Sequence, residues 1–195
     1  MYCLFLETLF TNRTCVADVF YDTLDLPYVT SDGLPFTPAP RETEHDHSGN
    51  VKTLDRRLKQ RLYLTVQSQA EGNLNGPRWT LPSVIPRNDE TLLEAARRAV
   101  ATVVGESLTL YCPGNAPMAV NLRTYTKNMP GDFTENYFGE KIFYYRVQYD
   151  QGDLDEGVIE KSGMNDYAWL TKDEIVERME KERGVHQSKF FHYML

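Results

Sequence analysis

Glu90-Thr-Leu-Leu-Glu-Ala-Ala-Arg-Arg-Ala-Val-Ala-Thr-Val-Val-Gly105 is the stretch on which the reading of the fold turns. Leu92, Ala96, Ala99, Val100 and Val103 recur at three- and four-residue spacing, which makes one apolar stripe on a helix. Asn88 and Asp89 precede it as good N-cap residues, and Glu90 in or near the first turn suits the positive end of the helix dipole. Glu94 is spaced to pair with Arg97 or Arg98, and Gly105 is a natural stop.

On the amino-terminal side of this helix, Leu62-Tyr-Leu-Thr-Val66 is rich in β-formers and is expected as the first core strand. A Gly/Asn turn over 72–76 leads to Arg78-Trp-Thr-Leu-Pro82, a second strand ended by proline. On the carboxyl side come residues 107–111, a turn at 112–117, a candidate strand over 118–125 and a polar loop over 126–138. Lys141-Ile-Phe-Tyr-Tyr-Arg-Val-Gln-Tyr149 is the strongest strand pattern. A Gly/Asp/Glu-rich loop over 150–166 is followed by the strand Tyr167-Ala-Trp-Leu170. Thr171-Lys-Asp-Glu174 then has the N-cap and capping-box pattern of a helix running to about residue 183. The last stretch, 188–195, predicts a short closing helix.

Residues 1–50 read differently. After a short apolar element, Cys15-Val-Ala-Asp-Val-Phe-Tyr21, the residues Pro27, Gly33, Pro35, Pro38 and Pro40 oppose regular structure and favour an extended path. The expectation is an arm over 1–50, separable in stability from a folded domain over 51–195. His45-Asp-His47 lies in a polar loop of this arm, and without further Cys or His nearby it reads as solvated rather than as a zinc site. From Lys52 to Arg61 five basic residues stand against Asp55, and Leu54, Leu58 and Leu62 recur every four residues, so a short amphipathic helix is expected. Lys52, Arg56, Arg57, Lys59 and Arg61 are the candidate partner contact, weighed against a plain solvated face.

The 195 residues, 41% hydrophobic and 25% charged, suit one good core plus extensions. Twenty-one basic and 28 acidic residues give a net charge of −7, so the surface as a whole repels polyanions and any RNA contact has to be local. Cys3, Cys15 and Cys112 form an odd set without metal-type spacing, which fits free thiols in a reducing compartment. No apolar run approaches the roughly 18 residues of a membrane span. The start, Met1-Tyr-Cys-Leu-Phe-Leu-Glu7, has neither the basic leader of a secretory signal nor the arginines of an organellar presequence, so it leaves the import route open.

The helical stretch also resembles the Nudix box, which runs Gly, five residues, Glu, seven residues, then Arg-Glu-apolar-x-Glu-Glu-x-Gly. Glu90, Arg98, Val100 and Gly105 fall in its register without a gap, whereas the three metal-binding glutamates become Ala99, Thr102 and Val103 and the opening glycine becomes Val84. Mg²⁺ requires several hard oxygen ligands, and the side chains at 99, 102 and 103 supply no carboxylate. Further signatures are Leu54-Asp-Arg-Arg-Leu58, Trp79-Thr-Leu-Pro82, Glu90-Thr-Leu92, Gly114-Asn-Ala-Pro117, Gly139-Glu-Lys-Ile-Phe-Tyr-Tyr145, Gly152-Asp153 and Trp169-Leu-Thr-Lys-Asp-Glu174. Together, over about 140 residues, they resemble the mitochondrial large-subunit ribosomal protein forty-six family, which is Nudix-like without the metal glutamates.

That resemblance implies an α/β (α+β) fold, a mixed sheet sandwiched between helices; the extended amino-terminal arm read from the prolines lies outside it. It implies a pseudoenzyme without cofactor or metal, a structural subunit of the ribonucleoprotein that performs mitochondrial translation. Its place would be the central protuberance in the matrix, held chiefly by other large-subunit proteins, with at most limited rRNA contact. Two rivals are weighed against it. One is a live hydrolase using Glu90, Glu94 or Glu106. The other is a nucleotide-sensing module whose pocket would be lined by Trp79, Tyr144 and Trp169, aromatic residues that serve equally as core.

Overall fold

The computed structural model describes residues 2–8, 33, 42–68, 77–105, 108–124, 139–152, 157, 161–183 and 185–195. The expected element at 15–21, the turn at 72–76, the loop at 126–138 and Glu106 lie outside them. The described elements are β1 (Tyr2–Thr8), α1 (Glu44–Ser48), β2 (Leu62–Ser68), β3 (Arg78–Thr80), β4 (Ser83–Val84), α2 (Leu92–Val104), β5 (Thr109–Tyr111), β6 (Ala119–Thr124), β7 (Gly139–Gln151), β8 (Met164–Thr171), α3 (Lys172–Arg183) and α4 (Val185–Met194).

All eight strands join one mixed sheet. β8 lies along one edge of β2 from Leu62↔Thr171 to Ser68↔Met164, while β3, at Val66–Ser68, and β1, at Tyr63, pair along its other edge. β1 runs parallel to β7 from Cys3↔Tyr144 to Thr8↔Tyr149 and antiparallel to β2 and β4. β6 and β5 each take a stretch of β7. The sheet thus corrects the expected arm in one respect: seven of its residues form β1, which lies between β2 and β7, so β2 is not the first strand. The reason is non-local, since β1 finds its main partner about 140 positions away.

Both faces of the sheet are covered, which explains why β2 reads as a nearly continuous apolar run rather than as strict alternation. On one face Leu62, Leu64, Val66, Tyr145, Val147, Tyr167 and Trp169 pack with Ala96, Ala99, Val100 and Val103 of α2. On the other, Tyr63, Ile142, Tyr144, Ala168 and Leu170 pack with Ile175 and Met179 of α3 and Phe191 of α4. Successive residues of β2, β7 and β8 point to opposite layers, as the period of two requires. The one buried hydroxyl in the middle of β2, on Thr65, donates to the Ala168 carbonyl at 3.0 Å, so its burial leaves no unmet donor.

Two other expectations change. Residues 52–61 contain no helix; the four-residue leucine spacing is coincidental, because Leu62 already belongs to a strand and Leu54 packs from an irregular strap onto the α2 face. The polar loop around His45 and His47 is instead the short helix α1, closed by a capping box between Thr43 and Asp46 and by Gly49 in the left-handed region at φ 66°. The strands expected over 62–66, 78–82, 118–125 and 141–149 fall on β2, β3, β6 and β7, β3 ending at Thr80, and the stretch 107–111 contains β5. β7 runs further, to Gln151, and β8 begins at Met164 within the expected loop.

Candidate functional site

The helix with the Nudix-like register begins later than its sequence suggests. Thr91, not Asn88 or Asp89, is the N-cap: its hydroxyl accepts from the Glu94 amide at 3.3 Å, and the Glu94 carboxylate accepts from the Thr91 amide at 2.7 Å. Glu94 is therefore engaged in the cap rather than paired with Arg97 or Arg98, and the Thr91 amide holds its carboxyl below the usual range. Glu90 sits just outside the helix and grips Arg98, with Nε to Oε2 at 2.9 Å; Arg98 also donates to the Ile85 carbonyl at 2.9 Å. The Arg87 amide adds 2.7 Å to the same carboxylate. With the Arg98 guanidinium against it first and that amide second, Glu90 is pulled down to about 2 despite some desolvation.

The three positions in register with metal glutamates divide between core and surface. Ala99 and Val103 are each 1% exposed and packed beneath α2, whereas Thr102 is exposed and turns its hydroxyl onto the Arg98 carbonyl at 2.8 Å. Gly105 ends the helix at φ 71°, ψ −159°, a conformation that only glycine adopts readily, and its amide caps the Ala101 carbonyl. Among the described residues no group of three or more His, Cys, Asp or Glu is arranged to hold a metal ion.

The basic stretch separates into an anchor and a surface. Arg56 is 4% exposed: one guanidinium nitrogen donates to the Trp169 carbonyl at 2.8 Å and to Glu174 at 2.9 Å, and the other meets Glu174 at 2.6 Å. It cannot be a partner contact, which corrects the sequence expectation. Glu174 also closes the capping box of α3, accepting from the Thr171 amide at 2.8 Å. Burial pushes Glu174 up, but Arg56 and then that amide outweigh it and leave the carboxyl below its ordinary range. Lys52 pairs with Asp166 and lies 4.2 Å from the centre of the Tyr167 ring. Arg57, Lys59 and Arg61 remain exposed.

The three aromatic candidates do not converge on a pocket. Trp169 packs in the α2 layer and Tyr144 in the α3/α4 layer, while Trp79 stacks under Arg178 at 4.3 Å at the edge of the second. A shallow cleft of about 260 Å³ lies elsewhere, lined by Gln60, Arg61, Tyr63, Thr171, Lys172, Asp173 and Leu195.

No family model matches the chain. It is 32% identical over 148 residues to the large ribosomal subunit protein mL46 of Neurospora crassa, covering 74% of this chain and 39% of that protein. It is 27% identical over 157 residues to mL46 of Mus musculus, covering 80% and 52%, and 29% identical over 143 residues to that of Bos taurus, covering 73% and 48%. The chain is similar to proteins named mL46 over most of its own length. It spans about half, or less, of the length of these mL46 proteins. Among solved structures it is similar to a Nudix hydrolase from Nitrosomonas europaea (TM-score 0.44, 19% identity, 68% of this chain and 80% of that one). It is also similar to a possible asymmetric diadenosine tetraphosphate hydrolase from Jonesia denitrificans (TM-score 0.45, 12% identity, 90% of this chain and 80% of that one).

Two of the sequence signatures of this chain turn out to be one structural device. The strap at 51–56 runs along β8, where the Trp169 amide donates to the Val51 carbonyl at 2.7 Å and the Trp169 carbonyl accepts from Arg56. Leu54-Asp-Arg-Arg-Leu58 and Trp169-Leu-Thr-Lys-Asp-Glu174 are thus joined through Arg56 and Glu174. Sequence reading found both stretches but placed Arg56 on the surface, as a candidate partner contact or a solvated charge, because five basic residues in ten look alike until burial sorts them.

Proposed function

We propose that the chain is a non-catalytic structural constituent of the large subunit of the mitochondrial ribosome, located in the matrix at the central protuberance and held mainly by other large-subunit proteins. The observation that carries this reading is its similarity over most of its length to proteins named large ribosomal subunit protein mL46. The net charge of −7 favours protein neighbours over broad rRNA contact.

The α2 geometry speaks against the hydrolase. Metal-assisted phosphate hydrolysis needs carboxylates that fix the ion and position a water. Here Ala99 and Val103 are core residues, Thr102 is turned back onto its own helix, Glu90 is closed by Arg98 and Arg87, and Glu94 is used by the cap. With Trp79, Tyr144 and Trp169 packed into two layers, the nucleotide-sensing reading has no aromatic pocket to support it.

Two measurements test the proposal. The tagged chain expressed in mitochondria is expected to co-sediment with the large ribosomal subunit and to stay there at moderate salt; a free monomer at the top of the gradient, with other large-subunit proteins sedimenting normally, would sink it. The purified chain is expected to show no Mg²⁺- or Mn²⁺-dependent hydrolysis of nucleoside diphosphate derivatives. Chelator-sensitive turnover above a no-protein control would revive the enzyme.

A further inference from the structure

We infer that the strap at 51–56 is an edge guard: it keeps the outer edge of β8 closed to other strands, and lifting it opens β8 to pairing with the β8 of a second copy of this chain.

In an antiparallel pair alternate residues turn their amide and carbonyl toward the neighbouring strand and away from it. Trp169 turns away from β2, since its amide donates to the Val51 carbonyl at 2.7 Å and its carbonyl accepts from Arg56 at 2.8 Å. By the same alternation Tyr167 and Thr171, which stand opposite Val66 and Leu62, turn outward as well. Each of these three amides is taken. The Tyr167 amide donates to the Asp166 carboxylate at 2.9 Å and the Thr171 amide to the Glu174 carboxylate at 2.8 Å, while Trp169 is held by the strap. The strap also grips both carboxylates, through the pairs Lys52–Asp166 and Arg56–Glu174.

The way the edge is covered marks its purpose. A strand added beside β8 would only move the open edge outward, whereas residues 51–56 form no strand and offer no ladder of their own. Val51 packs with the α3/α4 layer and Leu54 with the α2 layer, so the strap bridges the two faces of the sheet at this edge. Its far end is tied back by the Arg57 amide donating to Asp46 at 2.8 Å and the Thr43 hydroxyl donating to the Asp55 carbonyl at 2.6 Å. A buried ion pair is a poor source of stability beside an apolar residue of similar volume. Arg56, at 4% exposure, supplies what such a residue could not: a donor for the Trp169 carbonyl and a hold on Glu174. What the guard blocks is backbone, so what it excludes is a strand. A second copy fits that description, because two identical edges laid antiparallel about a two-fold axis offer each other the same alternating donors and acceptors.

The test uses the full chain in reductant, which removes disulfide-linked dimers. Arg56→Met keeps volume and loses the donor; Lys52→Glu/Asp46→Ala loosens the strap from outside the core; Gly139→Ala weakens the β6–β7 contact and leaves the strap alone. Sedimentation velocity is followed as protein concentration rises, with amide hydrogen exchange of β8 and near-ultraviolet circular dichroism on the same samples. In the dilute strap variants the Trp169 amide is expected to exchange about tenfold faster than in the parent, the sign of a local opening. At higher concentration these variants are expected to form dimers, with the β8 amides protected again. The parent and Gly139→Ala are expected to stay monomeric. Should Arg56→Met fail to fold, the double variant decides. Strap variants that remain monomers at every concentration overturn the inference, as do dimers whose added protection lies outside β8. A Trp169 amide that exchanges no faster than the parent's also overturns it, because the bonds named would then not hold the guard.

Discussion

A methyl group placed on Gly139 would lie 2.3 Å from the Arg123 carbonyl oxygen and 3.0 Å from the Thr124 Cα, because β6 and β7 come together at this residue. Both neighbours are backbone, so the clash cannot be relieved by a rotamer. Gly139→Ala is expected to destabilise the protein by about 1 to 3 kcal/mol, the usual range for overpacking, read as a fall in the denaturation midpoint; an unchanged midpoint would mean that the two strands separate here at no cost. At Glu174 the expectation is one of pH. Its folded carboxyl lies below the ordinary value of 4.5, so the stability it contributes is complete above about pH 4.5 and is lost as pH falls through the lower folded value. Glu174→Gln leaves Arg56 buried without a counter-charge and is expected to cost about 2 kcal/mol at neutral pH. The gap to the parent should narrow below pH 4.5, and a gap that stays constant down to pH 3 would assign the cost to packing. Glu90 follows the same sign over a window from 4.5 down to about 2.

Helix α2 was the most legible element, since its stripe of Leu92, Ala96, Ala99, Val100 and Val103 is the face that packs on the sheet. Its start was misplaced because Asn88 and Asp89 are strong caps in isolation. The Thr91-x-x-Glu94 pattern was present in the sequence, but choosing it required knowing that Glu90 is drawn away to Arg98. The α3 cap at Thr171 and Glu174 had no such competitor and reads directly. The strap at 52–61 was misread as a helix because leucine spacing carries no information about a backbone bonded to β8. The burial of positions 99 and 103 gives the element its own test. Ala99→Glu with Val103→Glu restores two carboxylates to the box register, but both enter an apolar layer at 1% exposure, where an unpaired charge is strongly disfavoured. The double variant is expected to melt well below the parent and to gain no Mg²⁺-dependent hydrolysis; melting at the parent's temperature would show that the layer opens to admit them.

At the scale of the whole molecule the consequential strand is the first, which the prolines of its surroundings concealed. Among the described residues β2 and β7 do not pair with each other; β1 lies between them, matched to six residues of β7 and to Tyr63 of β2. On one side of it stand β8, β2 and β3 with α3, and on the other β7, β5 and β6. Removing β1 would expose a six-residue row of amides and carbonyls on β7 and the edge of β2 at Tyr63. The sequence alone led to the opposite expectation, an arm over 1–50 that can be cut away while the domain keeps its stability. Deleting residues 2–8 is therefore expected to abolish the cooperative thermal transition in near-ultraviolet circular dichroism, not merely to weaken incorporation into the ribosome. Lys181→Ala, which removes a solvent-exposed pair with Glu177, serves as the control that should leave the transition intact. If the shortened chain still melts cooperatively within a few degrees of the parent, the sheet closes without β1 and the amino-terminal segment belongs to assembly after all.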